Sequence, residues 1–350
     1  MAQQVLLLIV SSASWVNLRL SLRLKRLINH FMSASQFFSR KQKPGFSARP
    51  VFDPEALFDK NEPTSPHSLG RDIRCAVRLV TIFIWGFIAC CLQTILIYMP
   101  GRLHVRFPCF FWKIVCAIMG IRVHTIGNRA GGVYTENDVQ KGKKPVLFIA
   151  NHSSWLDILV LGCVLPTLFI SKQEVRNWPF IGILTRLGGT IYISRNRRET
   201  GQEVTEVMNR LKEGYNIALF PEGTSSDGMR VLPFLSSLFA IAKPLQKRGG
   251  ADKNTQPPPL LVQPISVVYD RLEGLPVGKN RRSSVFSWFG DMDLAPHLWS
   301  LGKWRSMRAS IYFHPPLDPD DFPSRKMLAN KTYQVITQGT EDLRQNRLET

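Results

Sequence analysis

Apolar and polar positions follow two different patterns along the chain. In the first, "LVTIFIWGFIACCLQTILIYM" (79–99) runs for 21 residues without a charge, close to the ~20 that carry a helix across a bilayer core. Pro100 and Gly101 break this run. A second apolar segment follows from Phe107 to Val123, interrupted by Lys113 and Arg122. Arg71, Arg74 and Arg78 precede the long run and Arg102 and Arg106 follow it. That symmetry gives no orientation, and it suits a helical hairpin dipping into one leaflet at least as well as a full crossing.

The second pattern begins near residue 145, where short apolar runs alternate with longer amphipathic ones. "VLFIA" (146–150), "TLFIS" (167–171), "TIYIS" (190–194), "NIALF" (216–220) and "LLVQPISVVY" (260–269) read as strands. "WLDILVLGCVL" (155–165) reads as a helix. "ETGQEVTEVMNRLKEG" (199–214) reads as an amphipathic helix with Val204, Val207 and Leu211 on one face. The stretch 273–305, with Trp288, Trp299 and Trp304, has no period and reads as an insertion against the membrane. "ASIYFHPPL" (309–317) reads as a late edge strand stopped by Pro315 and Pro316, and 324–345 as a closing helix. The alternation predicts an α/β fold: a largely parallel sheet flanked by helices, preceded by a hydrophobic helical hairpin at the membrane. The expected division is 1–70 as a basic leader and linker, 71–125 as a membrane-associated helical segment, and 126–350 as the α/β domain.

Charge sharpens this picture. A formal net charge of +19 and a pI near 10.0 require an anionic partner, either nucleic acid or a membrane surface. The first 50 residues hold Arg19, Arg23, Lys25, Arg26, Arg40, Lys41, Lys43 and Arg49 and no acid. The leader reads equally as an interfacial segment, as an organelle transit peptide, or as sequence upstream of a start at Met32. Because the excess sits in the leader and around apolar segments, with no nucleic-acid-binding motif, the expected partner is membrane lipid and not nucleic acid. The six cysteines lack CxxC spacing and the density of a disulfide framework, so reduced thiols are expected.

Three stretches carry candidate chemistry. In "NHSSWLD" (151–157) a strand ends at Asn151, and Ser154 with Asp157 fits a capping box that starts the next helix. Residues five apart in a continuous helix diverge by about 140°, so His152 must sit on the loop before the helix for Asp157 to reach its ring. A carboxylate on one imidazole nitrogen leaves the other as a general base near neutral pH; taken alone, a cap and a catalytic pair are equally good readings. In "ALFPEGTSSDG" (218–228) a strand leads to a turn whose backbone N–H groups and hydroxyls could hold an anionic oxygen. In "GGTIYISRNRR" (188–198) a strand delivers Arg195, Arg197 and Arg198, which bind phosphate or form a solvated cluster. G-x-S-x-G is absent, and "GTSSDG" lacks the lysine of a P-loop. No cluster of His, Cys or acids has metal-ligand spacing.

HxxxxD, then G-x-I-[FY]-I-x-R, then F-P-E-G-T, in this order, with Pro264 centred in "LLVQPISV", resembles the glycerolipid acyltransferase family, specifically the 1-acyl-sn-glycerol-3-phosphate acyltransferases of bacterial type. The resemblance covers roughly residues 75–330 and implies a glycerol-phosphate-acyltransferase-like fold. It implies His152 as general base, Asp157 as its orienting carboxylate, and Arg195, Glu222, Gly223 and Thr224 at a phosphate and glycerol site. It further implies acyl transfer from acyl-CoA or acyl-carrier protein, as co-substrate and without cofactor or metal, to a lysolipid hydroxyl. The catalytic domain is then expected on the cytoplasmic face of a membrane. The acceptor implied first is 1-acyl-sn-glycerol-3-phosphate. Two departures weaken that choice: Ser225 stands where the family often has arginine, and Ser194 where an acid is common. Lyso-ornithine lipid or another lysolipid therefore stands as the alternative acceptor, and a non-catalytic membrane scaffold of the same fold as the alternative role.

Overall fold

The computed structural model describes residues 68–132, 135, 137, 138, 141–193, 200–243 and 258–348. The leader, and Ser194 with Arg195, Arg197 and Arg198, lie outside the described residues. The elements run α1 (Leu69–Tyr98), α2 (Leu103–Met119), β1 (Ile121–Ile126), β2 (Val146–Ala150), α3 (Leu156–Gly162), β3 (Leu168–Lys172), α4 (Ile181–Leu187), β4 (Ile191–Ile193), α5 (Thr200–Lys212), β5 (Ile217–Leu219), β6 (Leu261–Leu272), β7 (Leu275–Pro276), α6 (Lys279–Phe286), α7 (Leu294–Gly302), β8 (Met307–Phe313) and α8 (Arg325–Arg344). The chain divides into two compact units, Met1–Val77 and Arg78–Thr350. The described part of the first is the opening turns of α1; all that follows concerns the second.

One eight-stranded sheet has the order β1-β8-β6-β2-β5-β3-β4, with β7 paired to β6. Every pairing is parallel except β6 with β8 and β6 with β7. The central strand β2 shows why these runs are continuously apolar. Val146, Phe148 and Ala150 enter one core with Phe111 and Val115 of α2 and Leu156 and Val160 of α3. Leu147 and Ile149 enter a second core with Val207 and Leu211 of α5 and Leu328 and Ile336 of α8. A strand buried on both faces has no polar side to alternate with. Each fully buried Leu, Ile, Val or Phe contributes about 1.5–3 kcal/mol of transfer free energy.

The expected helical hairpin is present. The Gln93 side-chain amide donates to His104 O (2.8 Å), and the Trp85 indole donates to Phe111 O (3.4 Å) and stacks on the Phe111 ring. Stepping back along α1 thus steps forward along α2, which defines an antiparallel pair. Among the described residues, α1 is the one helix long and apolar enough to cross a membrane. Ile84, Phe87 and Ile95 lie exposed on it at 55%, 65% and 60%, an apolar surface of the kind that marks an interaction site.

Three elements differ from the sequence reading. The second apolar segment is not one unit: Gly120, at φ 75°, ends α2 and turns the chain directly into β1. β8 is not an edge strand, because β1 pairs along its outer side. The insertion holds two short helices, α6 and α7, whose buried residues include Phe286 and Leu301.

Candidate active site

β2 points into the site from the centre of the sheet, and its last bonds are made by a side chain. The Asn151 Oδ1 accepts from Val267 N–H (2.8 Å) and its Nδ2 donates to Val267 O (3.0 Å), extending the ladder to β6 one residue past the strand. The chain then leaves the sheet, and His152 falls on the loop before α3. Asp157, in the first turn of α3, is completely buried, and its Oδ2 accepts from three donors: His152 Nδ1 (2.9 Å), Ser153 N–H (2.7 Å) and Ser154 N–H (2.9 Å). The carboxylate thus gathers the backbone amides of the loop before α3 together with the imidazole, while the N-cap, Trp155, has no side-chain cap bond. With Nδ1–H donated to Asp157, Nε2 is the ring nitrogen with a lone pair to offer. The His152 side chain remains 19% exposed, and its ring stacks on Phe220 with centroids 4.3 Å apart.

Phe220 opens the second motif, which follows β5, the strand beside β2. Both loops thus emerge at the carboxyl edge of parallel neighbours, where ligand sites form in such sheets. Glu222 is buried; its Oε1 accepts from His152 N–H (2.7 Å) and its Oε2 from Leu232 N–H (2.8 Å). Ser226 N–H donates to His152 O (2.8 Å), so the turn grips the His152 peptide from both sides. Burial pushes the Glu222 carboxyl up to about 8, against the pull of its two N–H donors and with a further push from Asp157 and Asp227. Gly223 (φ 69°) and Thr224 form an exposed lip, and a side chain at 223 would run into Leu235, itself 45% exposed. From behind, the Arg344 guanidinium of α8 donates to Gly228 O (2.8 Å) and Met229 O (2.9 Å).

The structure brings His152, Asp157, Glu222, Gly223 and Thr224 together; Arg195 lies outside the described residues. Glu222 differs in manner from the sequence reading, since both its oxygens face backbone amides. Several contacts have no signature within the motifs. Tyr269 O–H donates to Asp157 Oδ1 (2.7 Å) from β6, Trp288 N–H donates to Ser153 O (2.9 Å), and the Trp155 indole donates to His297 Nδ1 (2.9 Å). The insertion thus rests on the histidine loop. Burial holds the His297 imidazole down at about 4, so it accepts this bond as a neutral ring.

Comparison with known proteins agrees with this geometry. The family model "Acyltransferase" matches residues 132–268. The lyso-ornithine lipid O-acyltransferase of Brucella abortus is 36% identical over 225 residues, covering 64% of this chain and 78% of that protein. The chain is a member of the glycerolipid acyltransferase family. The 1-acyl-sn-glycerol-3-phosphate acyltransferase of Neisseria gonorrhoeae is 42% identical to this acyltransferase over a shorter 98 residues, 28% of the chain and 38% of that protein. The crystal structure of the 1-acyl-sn-glycerophosphate acyltransferase of Thermotoga maritima has the same fold: TM-score 0.52, with 78% of this chain and 97% of that one covered at 20% identity. The acyltransferase is thus an enzyme that transfers acyl groups to oxygen.

Proposed function

We propose that this acyltransferase moves a fatty acyl group from a thioester, acyl-CoA or acyl-carrier protein, to the free hydroxyl of lyso-ornithine lipid. His152 Nε2 takes the proton of the hydroxyl as its oxygen attacks the thioester carbonyl. The tetrahedral adduct then expels the thiolate, which recovers the proton from the imidazolium. Asp157 holds the ring and stabilises its charge. The single observation that carries this reading is the bond from His152 Nδ1 to a buried carboxylate beside the exposed lip at Gly223 and Thr224. Two facts support this acceptor: the long matches include proteins named for lyso-ornithine lipid, and Ser225 in the turn brings no cation for a phosphate. An ornithine head group offers a carboxylate and an ammonium instead. The second reading, 1-acyl-sn-glycerol-3-phosphate, is favoured by Arg195, Arg197 and Arg198 after β4. Purified enzyme given both lysolipids in equal amount with a labelled donor should acylate the ornithine lipid faster; preference for the phosphate lipid selects the second reading.

Membrane docking along one face belongs to the same proposal. Arg78 donates to Gly302 O (3.0 Å) and Trp304 O (2.5 Å), while Arg102, beyond the other end of the run, donates to Gly214 O (2.9 Å) and Glu213 O (2.6 Å). Arg78 lies on α1 and Arg102 in the bend past its end, so about 30 Å of helix, from Arg78 to Tyr98, runs between the two anchors, and both hold the hairpin to the body that carries the sheet. A helix tied at both ends lies against that body, with its apolar face toward one leaflet, the cytoplasmic one. Phe87→Asp should release the enzyme from sedimented lipid vesicles; full co-sedimentation of that variant would contradict in-plane docking.

A further inference from the structure

We propose that Tyr269 is a positioning residue for acyl transfer, fixing the Asp157 carboxylate so that His152 is held in register with its substrate. The inference rests on the reading of His152 and Asp157 as the working pair. In the parallel register of β2 and β6, Ala150 pairs with Ile265, so β6 runs on past the end of β2. Ile265, Val267 and Tyr269 share one face and enter the core that also holds Leu156 of α3. The period of two thus places a phenol beneath the start of α3, where Asp157 sits. All three donors from the histidine loop converge on Oδ2, and Tyr269 O–H is the one donor to Oδ1 among the described residues. Without it the carboxylate can turn about its Cβ–Cγ bond and a buried oxygen loses its partner. The phenol is itself packed in: Tyr269 is 2% exposed, its ring stacks on Phe286 at 5.0 Å, and its backbone carbonyl accepts from Arg282 Nε (2.9 Å). Burial, and next the charge of Asp157, push the phenol well above the ordinary tyrosine range, so it donates throughout any practical assay range.

Tyr269→Phe keeps the ring and its stacking and deletes only the donor. The expected result is a fall in kcat of about tenfold, the loss of one hydrogen bond to a charged group, with KM for both substrates unchanged. In an Asp157→Asn background the same substitution should cost less than about twofold, because coupled residues are non-additive. A tenfold loss in both backgrounds, or none in the wild type, overturns the proposal. If Asp157→Asn alone retains full kcat, the reading of the pair fails instead, which keeps the two failures distinct. A second measurement guards against a misfolded variant: the low-field proton of the His152–Asp157 bond should move on Tyr269→Phe in histidine-labelled enzyme. An unmoved resonance overturns the proposal as well.

Discussion

Replacing Glu222 by Gln changes no volume and isolates one property of the site. A carboxyl group accepts a hydrogen bond at each oxygen whether it is ionised or protonated, whereas an amide accepts at one atom and donates at the other. Glu222 accepts from His152 N–H at 2.7 Å and from Leu232 N–H at 2.8 Å. Glutamine must therefore set its NH2 against one of these amides, leaving a buried donor without an acceptor at a cost of about 1–3 kcal/mol. Either orientation disturbs the histidine. If the NH2 faces His152, the peptide carrying the imidazole is repelled; if it faces Leu232, the turn that holds His152 O through Ser226 is strained. A displacement of about 1 Å at reacting groups costs roughly 100-fold in rate, so kcat should fall between about tenfold and 100-fold, with KM for the thioester unchanged. Thermal unfolding followed by circular dichroism should show a midpoint lower by a few degrees, and Thr224→Ser, on the exposed lip, should leave that midpoint in place. Wild-type kcat and midpoint in Glu222→Gln would refute the view that this side chain works through the His152 peptide.

Stability should depend on pH in a way that follows from three buried groups. His297 and His314 are each held down at about 4 by burial. The unfolded chain therefore binds two more protons between pH 4 and about 6.5, and that stability, present above 6.5, is lost as pH falls. Glu222, raised to about 8, contributes stability present below its ordinary value and lost as pH rises through 8. The urea midpoint should peak near pH 6.5, with Glu222→Gln flattening the alkaline side; a midpoint still rising from pH 6.5 to 8 contradicts this. Gly162 of α3 packs against Trp112 of α2 with no room for a Cβ, so Gly162→Val should destabilise by about 1–3 kcal/mol, read as a lowered urea midpoint. Asp157→Asn should lower kcat while leaving vesicle binding intact, since the proposed docking face lies on α1 and α2.

What could be read from the sequence and what could not separate along physical lines. Strand β2 and the loop after it are encoded locally: an apolar run, then Asn and two serines before the next apolar run, which leaves His152 on the loop and Asp157 in the first turn of α3. Tyr269 carries no such mark, because its partner lies 112 positions away and only the β2–β6 register joins them. β8 read as an edge strand because its outer neighbour, β1, was hidden in an apolar segment that continues α2, with Gly120 as the one sign of the turn. The insertion looked structureless because its helices span eight and nine residues, too short for a clean period. Arrangement within the turn was also illegible, since Glu222 in a Gly-rich stretch reads as a ligand-facing acid until its two amide donors are seen.

The most direct test of the account is acyl transfer by His152→Ala, assayed on purified enzyme with a labelled thioester and lysolipid. With His152 taking the hydroxyl proton as proposed, transfer should fall by at least about 100-fold, the lower end for lost general base catalysis, with unfolding midpoint and vesicle binding preserved. Turnover within a few-fold of the wild type would contradict the account at its centre.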